Sequence, residues 1–196
     1  IYVFVCSTRQ DFHRYAERMS SLPVEGVARS EEGVIIVKAP ELRRDRFDYS
    51  GTLRHELVHV LLARNVNTDT LPRWLNEGIA MVVGKDYRWE SAFHVARMYV
   101  QGRIIKYHEL NFAFVAPRSG FEFGDAYAQS YSMTQLLVKH MGEDDFWEML
   151  DALDGLLFSD ALRAYAGLTP LQFYQKWRRS LWKLSLIHIS EPTRPY

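Results

Sequence analysis

Two histidines and a glutamate lie close together in the segment His55-Glu56-Leu57-Val58-His59. On a helix, residues four positions apart share one face, so both imidazoles can reach a single ion. Glu56 points about 100° away around the helix axis, which places its carboxylate beside the ion rather than on it. Catalytic zinc sites use imidazole and carboxylate ligands and keep one position for water. The segment therefore predicts one Zn²⁺ bound by His55 and His59, with Glu56 taking a proton from that water.

A third ligand is predicted from Glu77, in the segment Leu71-Pro72-Arg73-Trp74-Leu75-Asn76-Glu77-Gly78-Ile79-Ala80. A lone glutamate on a helix ordinarily lies at the surface, and that is the alternative interpretation here. The flanking Trp74 and Ile79 indicate instead a largely buried stretch, and a buried carboxylate needs a partner such as a metal ion. Gly78 would let this second helix approach the first closely, so that Glu77 can project into the site.

A second segment, His108-Glu109-Leu110-Asn111-Phe112, repeats the first three residue types of the motif. It lacks the second histidine, so no imidazole pair can form on one helix face. We expect no metal there, and we expect His94, His108 and His140 to be ordinary helix or loop histidines.

The elements that must position these side chains are a small N-terminal sheet followed by helices, an α+β, zincin-like fold class. Predicted strands are Ile1–Cys6, Gly26–Arg29 and Val34–Lys38, the last two as a hairpin. Predicted helices are Asp11–Met19, Ser50–Ala63, Arg73–Val83, Glu90–Gln101, Ala126–Met141, Phe146–Leu153, Asp160–Ala166 and one that opens with the capping box Thr169-Pro170-Leu171-Gln172. The stretch Asn111–Gly124 is predicted to be a long loop.

Composition narrows the function classes. Hydrophobic residues make up 47% and aromatic residues 14%, enough for a folded core. The 24 basic residues equal the 24 acidic ones, which gives no electrostatic case for nucleic acid or an anionic membrane surface. No apolar stretch approaches the length of a membrane span. Cys6 is the single cysteine and is expected to be a buried small hydrophobe. The composition assigns neither a compartment nor an oligomeric state.

The two ends of the chain call for separate interpretation. The sequence starts at Ile1 in mid-strand, so we expect a fragment whose full-length protein could be extracytoplasmic or membrane-associated. Leu184–Tyr196 resembles a translated sequencing adapter, and we expect it to be a non-native tail after the helical pattern ends. We predict one domain over residues 1–183, with the sheet and metal-binding helices in 1–84 and a helical lobe in 85–183.

The two metal-binding segments together resemble the peptidase-MA-like gluzincins, relatives of thermolysin and aminopeptidase N. In those zinc peptidases, two histidines on one helix and a glutamate on the next bind the metal. The resemblance implies that His55, His59 and Glu77 are ligands, and that Glu56 is the general base and later the acid. It also implies that a tyrosine on a later helix stabilises the oxyanion. Tyr127 is our choice for that role, and Tyr131 is the alternative.

The chain departs from the family pattern at two places. Thermolysin-like chains have an aspartate four residues after the ligand glutamate that braces a ligand histidine, and this chain has Met81 there. Asn76 and Asp125 are the candidates for that bracing contact. The family's motif that captures a substrate amine is not recognisable, because Gly26-Val27-Ala28-Arg29 occupies roughly that part of the chain without its acidic residue.

Three functions compete at this stage. The first is a zinc peptidase whose substrate pairs along Val34–Lys38, with endo- and exopeptidase activity not separated. The second is a non-catalytic binding or assembly module with the same fold, against which the intact Glu56 argues. The third is a zinc hydrolase of a non-peptide substrate.

Overall fold

The computed structural model describes residues 1–16, 24–42, 49–85 and 90–189. Nine α-helices lie in this described part. They are α1 (Arg9–Ala16), α2 (Tyr49–Asn65), α3 (Arg73–Gly84), α4 (Glu90–Val100), α5 (Tyr107–Leu110), α6 (Gly120–Met141), α7 (Glu143–Asp151), α8 (Phe158–Ala166) and α9 (Pro170–Ile189). Single 3₁₀ turns occur at Pro40–Leu42, Phe112–Phe114 and Ala152–Asp154. The end of the predicted helix Asp11–Met19 lies outside the described residues.

Three strands form the N-terminal sheet, β1 (Tyr2–Cys6), β2 (Gly26–Arg29) and β3 (Val34–Lys38), in the order β1-β3-β2. The predicted hairpin is confirmed, since β2 and β3 pair antiparallel. The strand β3 also pairs with β1, in parallel. The expectation that a substrate pairs along Val34–Lys38 is therefore wrong, because neighbouring strands already occupy both edges of β3. The strand that ends the sheet on the side away from β1 is β2.

Each face of β3 packs against a helix. On one face Ile36 joins Cys6 of β1 and Phe12 of α1 in a small buried cluster. On the other face Ile35 and Val37 contact Val60 of α2. This alternation follows from the two-residue period of a strand and fixes α2 against the sheet. Cys6 is buried, as expected, and burial raises the pKa of its thiol.

The helical lobe surrounds a single large apolar cluster to which α2, α3 and all six later helices contribute. Trp74 of α3 lies near its centre, stacked on Phe173 of α9 at 6.0 Å between ring centroids. The α+β fold class, with a small N-terminal sheet and a helical C-terminal lobe, is confirmed. Within the described residues, no helix has the length and apolarity needed to cross a bilayer.

Two expectations about the C-terminal half need correction. The stretch Asn111–Gly124 is not a long loop, because it holds a 3₁₀ turn and the first residues of α6. The helix α6 begins at Gly120 because the Ser119 hydroxyl accepts a hydrogen bond from the Glu122 N–H. At the other end, α9 opens with the predicted Thr169–Gln172 capping box. It then continues through Ile189 rather than ending before Leu184. The last seven residues of the proposed tail lie outside the described part.

Candidate metal centre

The helix α2 brings His55 and His59 together one turn apart. Their Nε2 atoms lie 3.1 Å from each other. On α3, Glu77 places Oε2 3.4 Å from each of these nitrogens. All three side chains are at most 14% exposed. Within the described residues, these three form the one cluster of histidine, cysteine or acidic side chains with a geometry suited to a metal ion.

The spacing of the three donor atoms fits a tetrahedral zinc ion. Zinc lies about 2.0–2.2 Å from nitrogen and oxygen ligands, so tetrahedral ligands are about 3.4 Å apart. The observed separations are 3.1, 3.4 and 3.4 Å. The Oε2 atom of Glu77 is also buried without a hydrogen-bond donor of its own, and a buried carboxylate oxygen needs such a partner. The residues present therefore fit a metal ion with two imidazole ligands and one carboxylate.

The buried Glu77 carboxylate makes this cluster favourable for a positive charge. Burial disfavours the charged form of His59, but the adjacent Glu77 carboxylate outweighs burial and raises the pKa of His59 to about 9. Burial also opposes ionisation of Glu77, yet His59 and then His55 hold its pKa far below the usual range. Without a metal, a proton on His59 therefore balances the Glu77 carboxylate. A metal cation would replace that proton.

Glu56 lies beside the three donors and contacts the sheet. Its side chain is buried, and its carboxylate accepts a hydrogen bond from the backbone N–H of Ala28 in β2. Burial raises the pKa of Glu56, although His55 and His59 pull it down. A Cβ atom at Gly26 would lie 3.0 Å from both Cγ and Oε1 of Glu56. The strand β2 can thus approach this carboxylate closely because residue 26 is glycine.

Asn76 and Asp125, the two candidates for bracing a ligand histidine, have different surroundings. The side-chain oxygen of Asn76 lies 2.7 Å from Nδ1 of His59. An N–H at that nitrogen can therefore donate to the amide and leave Nε2 free for a metal. Asp125 instead lies 2.6 Å from Nε2 of His94 and 3.4 Å from Arg103. Of the two, Asn76 is the one that contacts a candidate ligand.

The helix α6 places Tyr127 at the same cluster. Its ring centroid lies 6.3 Å from that of His55, and its hydroxyl hydrogen-bonds to Glu77. Burial, and then the negative charges of Glu77 and Glu56, raise its pKa well above the ordinary value, so the phenol keeps its proton. The hydroxyl of Tyr131 accepts a hydrogen bond from Gln135, one turn further along the same helix. Tyr127, rather than Tyr131, therefore faces the donor cluster.

The distance between α3 and α6 depends on Gly78. A Cβ atom there would lie 2.8 Å from the carbonyl oxygen of Ser130 and closer still to the Thr134 hydroxyl. Any larger residue would force the two helices apart. The absence of a side chain at position 78 thus keeps Glu77 and Tyr127 within hydrogen-bond distance of each other.

Comparison with known protein families shows the superfamily to which this chain belongs. The family profile described as the peptidase MA superfamily matches residues 14–183, most of the chain. The chain belongs to the peptidase MA superfamily. No curated protein and no solved structure matches it. Membership of the peptidase MA superfamily supports a peptidase-type fold with a metal site, in agreement with the donor cluster.

Within this peptidase MA domain, sequence reasoning overlooked two contributors to the site. Ala28 was considered only as part of an unrecognised motif, yet its N–H contacts Glu56. Arg73, one turn before Glu77, was not considered at all. The i,i+4 spacing between Arg73 and Glu77 was the available signal.

The remaining histidines lie away from the donor cluster: His94 contacts Asp125, His108 lies near Glu109, and His140 contacts Lys176.

Proposed function

We propose that this domain is a zinc-dependent peptidase that hydrolyses peptide bonds with Glu56 as general base. The observation that carries the proposal is the spacing of the three donor atoms, which suits zinc, with the Glu56 carboxylate immediately beside them. A purely structural metal site has no use for an additional buried carboxylate that binds no metal. An intact Glu56 therefore favours a hydrolase over a binding module.

The surroundings of Glu56 suit its two proposed steps, which are acceptance of a proton from water and delivery of that proton to the leaving amine. A zinc ion in the site would polarise the scissile carbonyl and activate a water molecule. Glu56 would accept the proton of the attacking water and later deliver it to the leaving amine. Its pKa is raised by burial, which favours the protonated form needed for delivery. The Ala28 N–H fixes the carboxylate in position between these two events.

Tyr127 is suited to stabilise the negative charge that develops on the carbonyl oxygen. Its pKa is raised, so at neutral pH it remains a hydrogen-bond donor. From its place beside Glu77, the hydroxyl would donate a hydrogen bond to that carbonyl oxygen. A donor of this kind, held in place before reaction, is typically among the larger contributions to amide hydrolysis.

The strand β2 is the proposed guide for the substrate backbone. Its inner edge pairs with β3, and the Ala28 N–H on its outer edge points to Glu56. An extended peptide that adds to a sheet edge obtains main-chain hydrogen bonds without a sequence requirement. A peptide aligned along Gly26–Arg29 would place a carbonyl next to the general base. This placement replaces the earlier assignment to β3.

The experiment uses zinc-loaded protein and a diverse peptide library, analysed by mass spectrometry. We expect about one zinc per chain, discrete cleavage products, loss of cleavage after removal of zinc by a chelator, and recovery when zinc is restored. A panel of esters and N-acyl amides is tested in parallel. Turnover of that panel alone would support a non-peptide hydrolase. Full zinc occupancy without turnover of any substrate would support a binding module.

A further inference from the structure

An open cleft of about 470 Å³ lies at the N-terminal end of α3. Its lining comes from the turn before α3, from α5 and from the segment that follows α5, and includes Leu71, Arg73, Tyr107, Asn111, Phe112 and Val115. Phe112 and Val115 are largely exposed, at 70% and 61%. Polar groups of Asp69, Thr70 and Arg73 share the lining with these apolar side chains, and a concave surface with such polar groups can bind part of a ligand.

The helix α3 links the cleft to the candidate metal centre. Arg73 lines the cleft and lies four residues before Glu77 on α3. Residues at this spacing share one helix face, with Cβ atoms about 5–6 Å apart. The charge of Arg73 also acts on Tyr127, where it partly offsets the rise in the pKa of the phenol. A peptide held at the metal centre would therefore place a residue next to the scissile bond beside Arg73.

The guanidinium group of Arg73 is available to a ligand. Arg73 is exposed, and no described carboxylate lies within ion-pair distance of it. Two other arginines of the lobe are already paired, Arg103 with Asp125 and Arg118 with Glu109. The other charged residue of the cleft is Asp69, in the turn before the helix begins. Asp69 would disfavour a second carboxylate at its own end of the cleft.

Backbone groups at the start of α3 add to the positive character of this end of the cleft. The residue before the helix is Pro72, whose own side chain makes no capping hydrogen bond. The N–H of Trp74 is bonded to the side chain of Asn111, which ties the segment after α5 to α3. The helix dipole places partial positive charge at the same end as Arg73. A guanidinium group binds carboxylates through paired hydrogen bonds.

We propose that this cleft is a specificity subsite for a carboxylate-bearing residue of the peptide substrate, and that Arg73 binds that carboxylate. The inference rests on the proposed peptidase function and specifies which substrates the peptidase would prefer. The carboxylate can be an acidic side chain or the C-terminus of the peptide, since a guanidinium group binds both in the same way.

The test compares matched substrates on the full chain. A peptide that the zinc-loaded protein cleaves is resynthesised with Glu or Gln at each position next to the scissile bond, and with a free or amidated C-terminus. We expect the carboxylate-bearing member of one pair to have a kcat/KM about 10- to 100-fold higher, the usual scale for a charge-assisted hydrogen bond. The pair that responds identifies the source of the carboxylate.

Arg73→Gln should abolish that preference, so that the two members of the responding pair have equal kcat/KM. Arg73→Lys should retain part of the preference for the carboxylate, because lysine keeps the positive charge but lacks the paired N–H donors of a guanidinium group. Asp69→Asn is the matched control and should keep the preference for the carboxylate. Equal kcat/KM for both members of every pair in the unsubstituted protein, or a preference that survives Arg73→Gln, would overturn the proposal.

A binding measurement separates this proposal from the peptidase function. If no peptide is cleaved, fluorescein-labelled peptides that differ by one Glu or Gln are titrated into the zinc-loaded protein and followed by anisotropy. Tighter binding of the Glu peptide, lost in Arg73→Gln, would support the subsite even though catalysis had failed. Equal binding of both peptides would overturn the subsite.

Discussion

Two segments of this chain begin with the same three residue types, and both are helical, but the length and burial of their helices differ. His55-Glu56-Leu57 lies in the middle of α2, a helix of 17 residues, whereas His108-Glu109-Leu110 lies in α5, a helix of four. The His55 side chain is 9% exposed and the His108 side chain 76% exposed. Glu56 is buried beside the donor cluster, whereas Glu109 forms an ion pair with Arg118 at the surface.

The difference shows that three residue types do not make a site. A second imidazole must follow four positions later on the same helix, and a carboxylate must approach from another element. Around His55, α2 continues to His59 and α3 supplies Glu77. The helix α5 ends at Leu110, and residue 112, where a second histidine would have to stand, is an exposed phenylalanine in a 3₁₀ turn. Helix length and burial thus distinguish the candidate centre from its surface counterpart.

The largest expected effect is the loss of metal. His55→Ala or His59→Ala removes one of three protein ligands, so zinc bound after dialysis should fall from about one per chain to near zero. His108→Ala should retain full zinc content, because His108 is not part of the group of three donors that suits a metal ion in the described residues. Elemental analysis of the dialysed proteins gives the result. Equal zinc content in all three variants would mean that the metal binds elsewhere.

The next effect concerns the two glutamates. Glu56→Gln keeps size and zinc but cannot accept a proton, so kcat should fall by about 100- to 10,000-fold. Glu109→Gln breaks surface ion pairs, the shortest of them with Arg118, and should leave kcat within about twofold. Turnover is measured on any peptide that the unsubstituted protein cleaves. Similar rates in the two variants would remove the general-base role from Glu56.

A third effect tests the contribution of α6. Tyr127→Phe removes a donor to the oxyanion, and kcat should fall by about 100-fold while zinc and folding are retained. The substrate KM should change much less, because the contact strengthens only in the transition state. Tyr131→Phe is the matched control, since its hydroxyl contacts Gln135, and should lower kcat by less than about threefold. A larger loss for Tyr131 would transfer the role to that residue.

The smallest effect is a change of protonation in the metal-free protein. The pKa of His59 is raised to about 9 by Glu77, against an ordinary value near 6.5. The stabilisation from this proton is therefore complete below about pH 6.5 and is lost as pH rises through about 9. A histidine NMR titration should show His59 still charged at pH 8. Titration of His59 near pH 6.5 would contradict this assignment.

Much of the centre could be predicted from the sequence because its geometry is local. The spacing of His55 and His59 within one helix, and the apolar residues around Glu77, were sufficient for the donor set. The sheet order was not predictable, because the pairing of β3 with β1 joins residues distant in the chain. The prediction of a long loop was wrong because the phenylalanines and glycines of Asn111–Gly124 favoured a loop over a helix start. The signal for that start was the capping pair Ser119 and Glu122. Arg73 was overlooked because only the fold shows that a cleft lies beside it.

The contact between α3 and α6 at Gly78 also determines how the domain can open. At this contact α3 places no side chain between itself and α6, so neither helix can move away without disrupting the buried core. Their amide protons should therefore exchange with deuterium only when the whole domain unfolds. Amides of β1, where Tyr2, Val3, Phe4 and Val5 are about half exposed or more, should exchange earlier through local opening. Heating would then separate Glu77 from Tyr127 in a single cooperative step, with no partly unfolded population that keeps one and loses the other.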